Sequence, residues 1–300
     1  MLVLIHFVII LLLPPTNATK KTGLFAHLDK NKLLKETKGV RLILVGGSNL
    51  SFGINSKCII DSFNVNTINT GLYYGFGLKF MMSNTLQFIH PKDIVIIAAE
   101  YENYFDNFAD GDISLLSLTN YVDPELVSLL DKQQIFKISK LLPQYCSSKV
   151  EDYLGISNKL DSTEGIYDRN SFNEYGDATT HWDMVPKYVK PIPLIGGGLN
   201  KDVFKSLRKF MNNVQQKGAK VYITFPCMQD SSFFNNASKI HQVESELIKE
   251  GFLLLSKPER YIFKNSMIFN TCYHLTKEGV DKRTNLLIDD LKEVIKDIKR

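Results

Sequence analysis

Only four cysteines occur in the 300 residues (Cys58, Cys146, Cys227 and Cys272), and none forms a C-x-x-C pair. That scarcity excludes a disulfide-built scaffold, and the wide spacing excludes the usual zinc and thioredoxin patterns. No other set of histidines, cysteines and carboxylates has metal-ligand spacing, so neither a metal nor a cofactor is expected. A strong charge of one sign is also lacking, since 36 Lys+Arg against 32 Asp+Glu leave a formal +4. Lys292, Lys296 and Lys299 interleave with acidic residues, which describes a solvated helix face and not a nucleic-acid surface. No internal repeat is visible.

Nor does any apolar run reach the roughly 20 residues that span a bilayer. The longest, Leu2 to Leu13, is followed by Pro14-Pro15-Thr16-Asn17-Ala18 and then Lys20-Lys21. It fits the apolar part of a secretory signal with Thr16-x-Ala18 as cleavage site, although no lysine or arginine precedes it. Residues 1–21 are therefore expected to be a signal peptide or an N-terminal membrane anchor. Residues 22–300 are expected to form the globular part outside the cytoplasm, periplasmic or at the cell surface, touching the membrane only through the N-terminus. Of three N-x-S/T sequons, at Asn17, Asn49 and Asn236, the middle one adjoins Ser48. A glycan there would obstruct that serine, which favours a bacterial export route.

What is plentiful is core: 44% hydrophobic and 11% aromatic residues, enough to bury one large domain. Val40–Val45, Val65–Thr70, Ile94–Ala99, Val221–Phe225 and Phe252–Leu255 read as short buried strands. Helical spacing separates them over Leu78–Ile89, Lys201–Lys217 (Asn200 as N-cap, Gly218 as stop) and Phe233–Lys249, and a long helix follows from Lys277. The alternation predicts an α/β protein: three layers, α/β/α, around a parallel central sheet of flavodoxin-like type. Residues 106–199 break the rhythm. They are polar, carry a hinge-like Gly196-Gly197-Gly198, and are expected to form an irregular insertion or lid.

Ligands of open parallel sheets sit at the carboxyl ends of the strands. Polar clusters fall at three such ends: Gly46-Gly47-Ser48-Asn49, Asn69-Thr70-Gly71 and Glu100-Tyr101-Glu102-Asn103. A fourth, Asn270-Thr271-Cys272-Tyr273-His274, precedes the last helix. A serine after a strand and two glycines suits a nucleophile, because glycine permits a sharp turn and close substrate approach. The same serine would also suit a helix N-cap. Leucine at position 50 breaks the G-x-S-x-G elbow, and no G-K-[ST] follows to make a phosphate loop. Cys272, two residues from His274, is a second nucleophile to weigh.

The early Ser and the late His together resemble the SGNH (GDSL-like) serine hydrolases. Gly46-Gly47-Ser48-Asn49 is similar to that superfamily's first block, Gly71 to its second-block glycine and His274 to its fifth-block histidine. The stretches VGGSNLSFGI, NTGLYYGFGLK, IVIIAAEYENYF and NTCYHLTKEGVDKRT, with the Ser171–Asp177 segment and His181, resemble an exported bacterial branch that acylates or deacylates cell-envelope polymers. The resemblance implies a serine esterase or acyltransferase: Ser48 as nucleophile, His274 as base, and an oxyanion hole from the N–H groups of Ser48 and Gly71 with the Asn103 amide. Asn49, Glu100, Asp177 and His181 would be auxiliary or substrate-binding residues. The implied partner is an acylated carbohydrate or other ester, with an envelope assembly as a second possible partner and no nucleic acid. Two blocks depart from the pattern. Glu100-Tyr101-Glu102-Asn103 replaces G-x-N-D, and Thr271 stands where Asp precedes the histidine. His274 is then oriented by Asn270, by a backbone carbonyl, by Asp177 or by a glutamate of the 100–102 loop. The alternative is a non-catalytic binding protein on the same fold.

Overall fold

The computed structural model describes residues 9–156 and 165–299. Residues 1–8 of the signal or anchor assignment lie outside the described residues, as does the 157–164 part of the insertion. Among the described residues no helix is long and apolar enough to cross a membrane.

Four parallel strands form the sheet: β1 (Arg41–Gly46), β2 (Asn66–Asn69), β3 (Ile94–Ala98) and β4 (Lys220–Ile223), in the order β2-β1-β3-β4. Alternation along the strands divides the core. Ile43, Val45, Val95 and Ile97 face one layer, while Leu42, Leu44, Ile94, Ile96 and Ala98 face the other. Every residue of β1 and β3 is buried, as expected of strands covered on both faces. The first layer packs beneath helices Ala26–Glu36, Leu78–Leu86, Lys201–Gln216 and Asp230–Lys249. The second is closed by Ile59 of helix Ser56–Phe63 and by Leu287, Leu291 and Ile295 of helix Lys277–Lys299. Each such fully buried aliphatic side chain contributes about 1.5–3 kcal/mol. The molecule is thus a three-layer α/β/α protein.

The expected caps hold: the Asn200 side chain accepts the Asp202 N–H at 2.9 Å, and Gly218 leaves the helix at φ 76°. The expected strand Phe252–Leu255 shrinks to a single bridge, Ile223 opposite Leu254, because the partner strand ends at Ile223 and the chain turns away into Pro226. Inside the 106–199 segment, helices Lys132–Ser139 and Leu142–Tyr153 were not foreseen. Leu115, Leu118, Leu126, Ile138 and Tyr145 of this segment pack into the main core. Asn49 and Asn236, two of the three sequon asparagines, are fully buried, so neither can carry a glycan in the folded chain.

The sheet order reverses between β1 and β3, since β1 continues to β2 on one side and β3 to β4 on the other. In open α/β sheets the crevice at such a reversal is where ligands sit. Ser48 follows β1 and Glu100 follows β3 there.

Candidate active site

A cavity of about 310 Å³ opens at this reversal point, lined by Ser48, Glu100, Glu102, Tyr167 and His274 together with Tyr73, Tyr74 and Thr271–Tyr273. It admits about ten waters' volume, enough for an acyl group and its immediate neighbours.

The nucleophile side is built around Glu100, which is 1% exposed. Its carboxylate accepts the N–H of Asn49 at 2.9 Å and of Gly47 at 3.2 Å. A Cβ at Gly47 would lie 2.5 Å from both carboxylate oxygens, and one at Gly46 would lie 2.2 Å from the Ala98 carbonyl. Both glycines are thus required by close approach. The short helix Ser48–Ser51 takes Gly47 as its N-cap without any side-chain cap bond. Ser48 is therefore its first residue and not a cap; its hydroxyl and its N–H have no partner among the described residues. Asn49 serves the scaffold: its amide donates to the Ala98 carbonyl at 2.8 Å, and its Oδ1 accepts from buried Arg283 at 2.8 Å. This ties the serine turn to the last helix.

The base side is built by Asn270. Its Oδ1 lies 2.8 Å from His274 Nδ1, and its Nδ2 donates to the Tyr167 hydroxyl at 2.9 Å. The amide that donates to Tyr167 leaves only the carbonyl for the ring, so Nδ1 carries the proton and Nε2 is the free base. Phe52 stacks on the imidazole at 4.2 Å with an interplanar angle of 10°. Burial, with His181 nearby, pushes the His274 pKa down to about 3. No hydrogen bond joins Ser48 to His274, although both line one cavity. Serine–histidine contacts of this kind often form only once substrate is bound.

Other expectations are corrected by the geometry. The Gly71 N–H is already donated to Asn69 Oδ1 at 3.0 Å, so it is not free for an oxyanion. A Cβ at Gly71 would lie 2.6 Å from the Gly47 carbonyl; this glycine is needed for close packing of β2's end against the serine turn. Asn103 does not reach the cavity: its Oδ1 accepts the Leu78 N–H at 2.9 Å, capping helix Leu78–Leu86. Asp177 accepts from Ser56 N–H, Ser56 Oγ and Asn69 Nδ2, at 2.7, 2.7 and 2.8 Å. His181 lies 3.1 Å from the Leu275 carbonyl and packs against Phe52 and Phe269. Neither Asp177 nor His181 orients His274 or lines the cavity. Cys272 does line it, but burial, with Glu102 nearby, raises its thiol pKa, which keeps it protonated and unreactive.

Sequence reasoning missed Tyr73, Tyr74, Tyr167, Phe52 and Arg283. Phe52 lies one helical turn beyond Ser48, on an apolar face where nothing marks a ring stacked on a histidine. Tyr167 comes from the irregular segment, where spacing carries no signal.

No protein-family model matches the chain, and no curated protein is significantly similar to it.

Proposed function

We propose that the chain is a serine esterase or O-acyltransferase of SGNH type, acting on an acylated cell-envelope glycan or similar ester. One observation carries the proposal: Ser48 and an Asn270-oriented His274 converge on a single cavity from opposite ends of the sequence. In the proposed reaction Ser48 Oγ attacks the ester carbonyl while its proton passes to His274 Nε2. The Ser48 N–H, free of any acceptor, receives the developing oxyanion; one such donor contributes roughly 3 kcal/mol. His274 then returns the proton to the departing alcohol, leaving an acyl-serine. Water completes hydrolysis, or a sugar hydroxyl completes transfer, with His274 again taking the proton. The apolar N-terminal run supports an extracytoplasmic, membrane-exported setting.

A second reading, a non-catalytic binding protein of an envelope polysaccharide assembly, draws on the Asn270 amide and on the engaged Gly71 N–H. An amide orients imidazole without stabilising imidazolium. Intact-mass analysis of residues 22–300 after fluorophosphonate treatment separates the two. Catalysis requires a single adduct that is lost in Ser48→Ala and slowed in His274→Ala. Folded protein that takes no adduct moves the weight to the binding-protein reading.

A further inference from the structure

The cavity around Ser48 contains two carboxylates, Glu100 and Glu102, and no lysine or arginine among its lining residues. Arg283, the buried guanidinium of this region, uses its donors on Asn49 and Cys227 and does not line it. The two acids differ in use. Glu100 has both oxygens bound by the N–H groups of Gly47 and Asn49. Glu102 is held by no other residue's backbone: its carboxylate accepts the Tyr273 hydroxyl at Oε2, at 2.9 Å, and its own backbone N–H. Tyr73, Tyr74 and Tyr167 complete the wall beside it. His274, only 3% exposed, lines the same space and has a ring nitrogen without a partner among the described residues. Carboxylate and aromatic rings around a small cavity attract a cation, whereas they only desolvate a neutral or anionic group.

Resting on the serine-esterase reading, we infer that the cavity selects esters carrying an ammonium group close to the reacting carbonyl, an aminoacyl or amino-alcohol ester, with Glu102 as the specificity residue. About 310 Å³ holds the ester carbonyl and an ammonium separated by two or three carbons, but not a sugar chain as well. The glycan part of such a substrate then stays outside. An ammonium beside Glu102 also offsets the lost hydration that holds this carboxyl above its ordinary range.

The test uses two organophosphorus thioesters that leave the same phosphyl group on the enzyme. One carries a 2-(trimethylammonio)ethyl thiolate leaving arm, the other the isosteric 3,3-dimethylbutyl thiolate. In both, Ser48 Oγ bonds to phosphorus, the P–S bond breaks, and the thiol departs with the serine proton relayed by His274. Intact mass therefore follows one adduct at two rates. With each rate divided by that reagent's rate with hydroxide, which removes the greater acidity of the cationic thiol, the cationic arm is expected to react about ten-fold faster, and Glu102→Gln, which keeps an acceptor for Tyr273, to bring the ratio near one. Independently of any variant, tetramethylammonium should slow labelling by the neutral reagent while tert-butanol at the same concentration does not. Equal corrected rates for the two arms, or equal effects of the two competitors, overturn the cation preference alone. Absence of any adduct with either reagent overturns the serine-esterase reading and this inference with it.

Discussion

Two polar assemblies lie side by side at the carboxyl ends of β1 and β2, and they are built on opposite principles. In one, Lys30 donates to the carbonyls of Asn69 and Gly176, at 2.9 and 2.6 Å, while Asp177 collects Ser56 and Asn69. Every member is buried and bonded, and the cluster fastens the 165–178 segment to the sheet edge. In the other, around the cavity, the Ser48 hydroxyl, the Ser48 N–H and His274 Nε2 have no partner among the described residues. A saturated network rigidifies and needs nothing further. Polar groups left open at a cavity are short of a partner that a substrate can supply. The pair shows why Asp177, the more conspicuous acid in sequence, belongs to the scaffold while Asn270 belongs to the site.

Breaking each assembly should have opposite consequences. Ser48→Ala should abolish fluorophosphonate adduct formation, a loss of more than about 10³-fold, and leave stability within about 0.5 kcal/mol because no partner is orphaned. Equilibrium denaturation and intact mass on the same sample check both halves. Asp177→Ala should do the reverse, costing about 1–3 kcal/mol by leaving the buried Ser56 N–H and hydroxyl and one Asn69 amide bond without their acceptor. A chemical-denaturation midpoint close to that of wild type would show that the network carries little.

A finer cut sharpens the base side. With its pKa near 3, His274 stays neutral from pH 5 to 8, so the labelling rate of the wild type should show no acid limb over that range. Asn270→Asp places a carboxylate on Nδ1–H, raises the histidine pKa and stabilises imidazolium. Its rate at pH 8 should rise by a factor on the order of 10, and a new limb should appear in which the rate falls with falling pH. A flat profile in the variant would mean that position 270 does not govern the ring.

The smallest effect is on stability. His27, His181 and His274 are buried, with pKa values lowered by burial to about 4, about 4 and about 3 from 6.5. The unfolded chain therefore takes up protons below pH 6.5 that the folded chain refuses. Stability present above pH 6.5 is lost as pH falls toward 4, by at most about 1.4 kcal/mol per pH unit for each histidine. Glu100, Glu102 and Asp177, raised by burial, act with the opposite sign and soften the slope. Melting temperatures between pH 7 and 4.5 should fall, and His181→Gln should make the fall shallower.

The layers were legible because β1 beyond Arg41 and all of β3 are apolar runs ending in glycine or alanine, and because the Lys201–Gln216 helix carries its own cap and stop. Convergence of the four strand-end and helix-end clusters followed from the topology alone. Their division of labour did not. Whether an asparagine caps a helix, as Asn103 does, or holds a histidine, as Asn270 does, depends on which backbone N–H comes near it in space. The oxyanion assignment of Gly71 went wrong similarly: the side chain of Asn69, two residues away, occupies its N–H.

Glu100 sits beneath the serine turn in the space that a side chain at position 47 would need. The two positions, 53 residues apart, therefore share one small volume and one pair of hydrogen bonds. Drift at either constrains the other: an alanine at 47 requires a shorter side chain at 100, and a shorter side chain at 100 leaves two N–H groups unsatisfied. Among descendants of this chain, positions 47 and 100 should vary together or not at all, so their joint record identifies the serine turn even where the serine itself has been replaced.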